Sequence, residues 1–242
     1  IIDRTVMGWA AQRSGILVHA SSACAYPTYL QAAETDRALL DEAAAGFDDP
    51  RQSFPDGTYG WVKLMGELQA KTIAQSHGCR ARSARIFTAY GERENESHAA
   101  IALIAKALLH MDPYPIWGTG QQTRNFTYVR DTVTGLLLLG SDDRQVEYDV
   151  FNIGTSRHTS VLEFVETVFE ILGWRPRDFD FQLDKPVGVG SRAASNVKSQ
   201  TVFGWEPSTD ILDGIAATLT WYENLKGRPK TANELEELLI AR

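Results

Sequence analysis

Four side chains in this sequence could move a proton and a hydride together: the hydroxyl of Ser22, the thiol of Cys24, the phenol of Tyr59 and the ammonium of Lys63. Tyr59 and Lys63 stand four apart in Thr58-Tyr59-Gly60-Trp61-Val62-Lys63-Leu64-Met65-Gly66-Glu67. On a helix that spacing puts both groups on one face, within reach of a single ligand. A free phenol has a pKa of about 10 and is a poor base at neutral pH, but a fixed ammonium nearby favours the phenolate. Tyr59 can then take a hydroxyl proton while a hydride leaves the same carbon. On an extended segment Ser22 and Cys24 point to the same side. A thiol with an ordinary pKa near about 8.5 exchanges protons readily at neutral pH. Tyr and Lys at this spacing also occur on helices that do no chemistry, so the pair depends on the elements around it.

Those elements read in order. Residues 3–13 have the spacing of a short amphipathic helix, stopped by Gly15, and Ile16 to Ser22 reads as a buried strand, apolar for most of its length. Residues 26–58 form a long polar loop with turn signals at Asp48-Asp49-Pro50-Arg51 and Phe54-Pro55-Asp56-Gly57. Loops of such length in a compact domain are usually functional. Asp56 or Thr58 can cap the next helix, which runs to about His77 before Gly78. Arg80 to Phe87 reads as a strand, Ala99 to Met111 as a helix, Thr132 to Ser141 as an apolar helix and Val150 to Gly154 as a strand. Ser160 opens a helix to Leu172, with Glu163 completing a capping box. Phe179 to Leu183 alternates as a strand, Asp210 to Leu225 is an amphipathic helix, and a charged helical tail lies beyond Lys230.

Composition bounds the partners. At 242 residues, 43% hydrophobic and 23% charged, the chain can bury a sizeable core and has the balance of a soluble globular protein. A net charge of −7 without a basic stripe argues against a nucleic-acid partner. Apolar runs such as Gly135-Leu136-Leu137-Leu138-Leu139-Gly140 fall short of a bilayer span, which points to a cytoplasmic protein without a membrane partner. Cys24 and Cys79 form no disulfide framework, and the five histidines lack metal-ligand spacing, so no metal site is expected.

Ser22, Tyr59 and Lys63, in that order and joined by strand, loop and helix, resemble the triad of the extended short-chain dehydrogenase/reductases, the NAD-dependent epimerase/dehydratase family. Arg85-Ile86-Phe87-Thr88-Ala89-Tyr90-Gly91 is similar to the family's strand-to-loop signature, with Thr88 where the family usually has Asn. Pro115-Ile116-Trp117-Gly118-Thr119-Gly120-Gln121-Gln122-Thr123-Arg124-Asn125-Phe126-Thr127-Tyr128-Val129-Arg130-Asp131 resembles its WGxGxQxRxFxxVxD run, the most specific stretch in the chain. The segment from Lys185-Pro186 to Ser195-Asn196 matches the loop that brings an arginine, here Arg192, to the substrate diphosphate. The resemblance implies an α/β fold: a Rossmann-like doubly wound parallel sheet in residues 1–93 and a smaller α/β substrate-binding domain in residues 94–242, with about residues 128–155 returning to the first sheet. Gly118-Thr119-Gly120 and Gly188-Val189-Gly190 are the only GxG triplets, and neither continues as the dinucleotide fingerprint. That implies a chain from which the N-terminal half of the sheet, with the adenosine end of the cofactor site, is absent.

The family resemblance also implies NAD or NADP as cofactor, NAD favoured, a nucleoside-diphosphate sugar as substrate, and a homodimer formed through the tyrosine-bearing helix and its neighbour. By residue-for-residue match, Tyr59 and Lys63 touch the cofactor, while Ser22, Cys24, Thr88, His98, Lys106, Gln122, Thr123, Arg124 and Arg192 touch the substrate, with Lys185 a further candidate. In this family the residue two after the triad serine sorts the chemistry. Ser21-Ser22-Ala23-Cys24-Ala25-Tyr26-Pro27 is most similar to the GDP-mannose 3,5-epimerase and GDP-fucose synthase branches. There a C4 ketone acidifies the protons on C3 and C5, and two groups exchange them from opposite faces. Cys24 matches one; Ser97-His98, similar to the synthase pair, supplies the other, His98 having a side chain that titrates near neutral pH. The catalytic set is then Ser22, Cys24, Tyr59, Lys63 and His98. The competing readings are a nucleotide-sugar 4-epimerase, a 4,6-dehydratase (usually Asp-Glu where this chain has Ala23-Cys24) and an inactive truncated fragment.

Overall fold

Alternation along three parallel strands builds a sheet with two different faces. The computed structural model describes residues 2–13, 15–33, 37–225 and 229–240. In chain order the elements are α1 (Ile2–Ala10), β1 (Ile16–Ser22), α2 (Gly57–His77), β2 (Arg80–Ile86), β3 (Ala89–Tyr90), α3 (Ala99–Leu108), β4 (Tyr114–Trp117), β5 (Thr123–Arg124), β6 (Thr127–Tyr128), α4 (Val129–Gly140), β7 (Tyr148–Ile153), β8 (Thr159–Ser160), α5 (Val161–Leu172), β9 (Phe179–Gln182), α6 (Val197–Phe203), α7 (Ile211–Glu223) and α8 (Ala232–Ile240). Strands β1, β2 and β7 lie side by side in that order, all parallel, with Ile16 opposite Arg80 and Ile86 opposite Ile153. Thus β7 completes this sheet although it follows β3 to β6 in sequence.

One face, carrying Val18, Ala84, Ile86, Phe151 and Ile153, packs on Leu139 of α4 and on Trp205. The other turns toward α2 and is apolar only at its start, where Leu17, Ala81 and Tyr148 meet Met7, Ala70 and Ala74. Further along, that face is polar. Glu67 of α2 accepts from Ser21 Oγ at 2.5 Å and from Arg85 Nε and Nη2 at 2.9 and 2.8 Å, all of it buried. Removing one partner would strand a buried charge, a loss of about 3–5 kcal/mol, so this network fixes α2 on the sheet. The apolar run of β1 suggests burial on both sides; the strand is instead half-buried, pairs only with β2 among the described residues, and leaves Ala20 exposed.

A second body surrounds Tyr90, Ile101, Ile104, Tyr114, Phe126, Phe164, Val168 and Tyr222, drawn from α3, α5 and α7 and the short strands. The charged tail helix α8 joins it through buried Leu235. Gly118 and Gly120 take φ of 72° and 75°, the left-handed region that glycine enters without strain, and so turn the chain between β4 and β5. Those strands do not form a hairpin: β4 pairs with β9 and β5 with β8. No described helix is long and apolar enough to cross a membrane.

Candidate active site

The site begins where β1 runs out. Ser22 caps a short helical turn over Ala23–Ala25, its hydroxyl oxygen accepting from the Cys24 N–H at 3.1 Å. The Cys24 carbonyl accepts from the Asp56 N–H at 2.8 Å, which ties the thiol-bearing turn to the start of α2. Gly60 permits the contact, since a Cβ there would lie 2.2 Å from the Cys24 carbonyl oxygen. On the same turn of α2 stands Tyr59, 57% exposed. Lys63 lies one turn on: its ammonium is 5.5 Å from the Tyr59 ring centre and donates to the Ala20 carbonyl at 2.8 Å. The i, i+4 geometry expected from spacing is therefore present, with the lysine held by the last turn of strand before Ser22.

Arg192 binds three protein groups at once. It donates from Nε to Gln31 at 2.5 Å, from Nη1 to the Cys24 sulfur at 3.3 Å and from Nη2 to Asp56 at 3.1 Å. Asp56 does occupy the N-cap position of α2, but its carboxylate makes no capping bond and faces Arg192 instead. Arg124 lies close by, donating to the carbonyls of Thr123 and Val187 at 2.7 and 2.6 Å. Burial, and then the Arg192 charge, push its pKa down to about 10, with Asp56 and Cys24 opposing.

Beside this cluster opens a cavity of about 450 Å³ lined by Thr88, Ser97, Lys106, Trp117, Gln122 and Arg124 among others, a size suited to a small ligand. Burial lowers the Lys106 pKa to about 8, with the Asp180 charge opposing; its ammonium donates to the Pro115 carbonyl at 3.0 Å. Gln122 donates to the Trp117 carbonyl at 2.8 Å, while its Oε1 is buried with no hydrogen-bond partner among the described residues. That oxygen is a ready acceptor for a ligand donor. Thr123 is placed otherwise: its hydroxyl is buried and meets Ser191 Oγ at 2.9 Å, outside the cavity lining. His98 holds the N-cap position of α3 without capping it and is exposed, between two residues, Ser97 and Ala99, that do line the cavity. Lys185 lies in a neighbouring recess that shares Lys106 and Trp117 with the cavity.

A sequence profile described as the NAD dependent epimerase/dehydratase family matches residues 2–154, more than half of the chain. The chain belongs to that family. GDP-mannose 3,5-epimerase 1 of Oryza sativa subsp. indica is 30% identical to this family member over 229 residues, covering 92% of the chain and 57% of the rice protein. The protein named uncharacterized UDP-glucose epimerase YtcB, from Bacillus subtilis (strain 168), is 33% identical over 172 residues, 71% of the chain and 53% of its own length. The chain thus spans little more than half of these relatives. Among solved structures, the UDP-glucuronic acid 4-epimerase of Bacillus cereus, crystallised with UDP-glucuronic acid and NAD, superposes with a TM-score of 0.77 at 22% identity, covering 91% of the chain and 65% of that enzyme. That likeness carries the Rossmann-like fold.

Sequence reasoning missed Gln31 and Asp56 as partners of Arg192, and Glu94, which meets the His98 ring. Glu94 precedes His98 by four residues, a spacing that could have been noticed. Nothing in the order of residues marks Gln31, which reaches Arg192 across 161 positions.

Proposed function

We propose that this chain serves a nucleotide-sugar epimerase working through a transient 4-keto sugar, with Cys24 and His98 exchanging protons at C3 or C5. The observation that carries the reading is the Cys24 sulfur, partly exposed and held by Arg192 on a turn fastened to the tyrosine-bearing helix. A dinucleotide cofactor fits at its nicotinamide end: Tyr59 and Lys63 share one face of α2 beside the carboxyl end of β1. Bound there, NAD, favoured over NADP, would accept the C4 hydride and return it. Tyr59 takes the C4 hydroxyl proton and the Lys63 charge steadies the phenolate. Ser22 accepts from Cys24 N–H, which leaves its own O–H to donate to the C4 oxygen. With C4 oxidised, the C3 and C5 protons become acidic; Cys24 and His98 then act as acid and base from opposite faces.

Arg124 and Arg192 lie near enough for one charge to disfavour the other, a strain that a diphosphate between them would relieve. Lys106 and Gln122 line the cavity with Arg124 and complete a seat for the nucleoside diphosphate. Thr123 acts through Ser191, and Thr88 faces the sugar. We divide the chain as the sequence suggests, with a dinucleotide part in residues 1–93 and a substrate part in 94–242, and we propose a homodimer.

A simple 4-epimerase is the second reading, favoured by the substrates named for the Bacillus proteins. The two part in deuterated water. Given NAD and GDP-mannose, the full-length protein should place deuterium on C3 or C5, and Cys24→Ser should slow that labelling by about 10²- to 10⁴-fold. Labelling at neither carbon would return the protein to the 4-epimerases, and undiminished labelling in Cys24→Ser would remove the thiol from the exchange.

A further inference from the structure

We infer that Glu94 is the positioning residue of His98, holding the imidazole by Nδ1 so that Nε2 is the nitrogen that trades protons with the sugar. The inference rests on the proposed role of His98. Glu94 Oε1 lies 3.0 Å from His98 Nδ1.

Three observations separate this contact from an ordinary surface pair. The carboxyl is turned inward: the Glu94 side chain is 15% exposed where that of His98 is 57% exposed. Its Oε2 is buried with no hydrogen-bond partner among the described residues, a placement that swinging out into solvent would relieve. The turn also commits its other carboxylates elsewhere. Glu92 accepts from Tyr128 and Arg130, at 2.9 and 3.2 Å, and Glu96 accepts from Tyr222 at 2.8 Å, so Glu94 alone of the three meets the ring. Finally, the backbone is shaped to deliver it. Arg93 takes φ of 72° without being glycine, and Asn95 locks the following residues by accepting from the Ser97 N–H at 3.0 Å through Oδ1 and from the His98 N–H at 3.2 Å through its carbonyl. A non-glycine residue stays in that region only where its surroundings insist on it.

The chemistry needs such a group. An imidazole that must take a proton on one nitrogen works best when the other is already N–H and points at an acceptor, which fixes both tautomer and ring. When Nε2 accepts the proton leaving C3 or C5, the positive charge of the imidazolium meets the Glu94 carboxyl; when Nε2 gives the proton back, the Nδ1 proton stays in place. Burial raises the Glu94 pKa to about 7, with a hydrogen bond from the Gly91 backbone opposing.

The test follows two signals in the full-length protein with NAD and GDP-mannose in deuterated water: label at C3 or C5, and the reduced-nicotinamide absorbance that reports C4 oxidation. Glu94→Gln, neutral and of the same shape, should cut labelling by about 10- to 100-fold and leave C4 oxidation unchanged, and Glu94→Asp should recover part of the labelling. Full labelling in Glu94→Gln, or loss of both signals together, overturns the inference. His98→Asn tells the two ideas apart. If it abolishes labelling while Glu94→Gln does not, only the positioning role fails; if it labels like the wild type, or the wild type never labels, the role of His98 fails and takes this inference with it.

Discussion

Arg192 shows how one residue comes to matter through several. A guanidinium offers donors in a fixed plane, and here three separate directions go to Gln31, the Cys24 sulfur and Asp56. Lysine keeps the charge but is a point donor on a flexible stem and cannot hold three partners in that geometry. Arg192→Lys should therefore lower deuterium exchange at C3 or C5 by about 10- to 100-fold, the equivalent of one or two charge-assisted hydrogen bonds. C4 oxidation, which needs Tyr59 and Lys63 instead, should fall much less. Equal loss of both would mean that Arg192 only holds substrate. Residues of this kind divide sharply in how readable they are. Tyr59 and Lys63 could be read together because both sit within one helix, where period alone decides which side chains share a face; Ser22 and Cys24 do not lie on one extended segment as expected, since β1 ends at Ser22 and Cys24 stands on the helical turn that Ser22 caps. Asp56 could not be read: the sequence offers it as a helix cap, and only the return of the chain 136 positions later supplies the arginine that claims its carboxylate. Thr123, which the family match assigns to the substrate, has its hydroxyl bonded to Ser191 Oγ, 68 positions away, a contact that its sequence neighbours do not announce.

Elements set the distances that those residues need, and at Gly60 two of them come close. Helix propensity favours alanine over glycine by about 1 kcal/mol, so Gly60→Ala viewed on α2 alone would stabilise. A methyl 2.2 Å from the Cys24 carbonyl and 3.0 Å from Pro55 Cβ cannot be accommodated without moving backbone. Overpacking of that kind costs about 1–3 kcal/mol and outweighs the propensity gain. Gly60→Ala should lower stability to chemical denaturation by a net amount of up to about 2 kcal/mol. It should also cut labelling at C3 or C5, because the turn carrying the thiol must back away from the helix carrying the phenol. A more stable variant with full labelling would show that the turn is not seated by this contact. Element boundaries were largely legible: α2 ends at Gly78 in the left-handed region, and Ser160 accepts from the Glu163 N–H at 3.0 Å as its spacing suggests. The capping box is nonetheless half made, since the Glu163 carboxylate pairs with Arg157 and not with the cap. Burial was less legible than boundaries. A run of apolar residues such as Ile16 to Ala20 signals a strand but not how many neighbours it has, which is a property of the sheet and not of the strand.

At the scale of the molecule, parallel strands gather function at their carboxyl ends, and here that end carries the candidate residues Ser22, the last of β1, Cys24 just beyond it and Thr88 after β2. The class of fold was readable because the strands and the long helices alternate. The way the second body folds back to bring Arg124 and Arg192 together was not, because those contacts join segments far apart in the chain. The remaining feature at this scale is the outer surface of α1 and α2. Val6, Trp9, Trp61, Val62 and Met65 are each at least 41% exposed, and Trp61, Val62 and Met65 fall at helical spacing on one side of α2. Exposed tryptophans grouped with aliphatics on neighbouring helices are what a partner surface requires, and a single buried interface tryptophan commonly contributes about 2 kcal/mol or more. We expect the full-length protein to sediment as a dimer and Trp61→Glu to sediment as a monomer with its helical content intact, since a twofold interface would bury the new carboxylate twice without a partner charge. Because Trp61 lies two residues from Tyr59 on the helix that carries the phenol, such a dimer would also brace the first turn of α2, and the monomer should oxidise C4 more slowly. A wild-type protein that sediments as a monomer, or a Trp61→Glu variant that remains dimeric, would remove α2 from the interface and leave that stripe without a role in assembly.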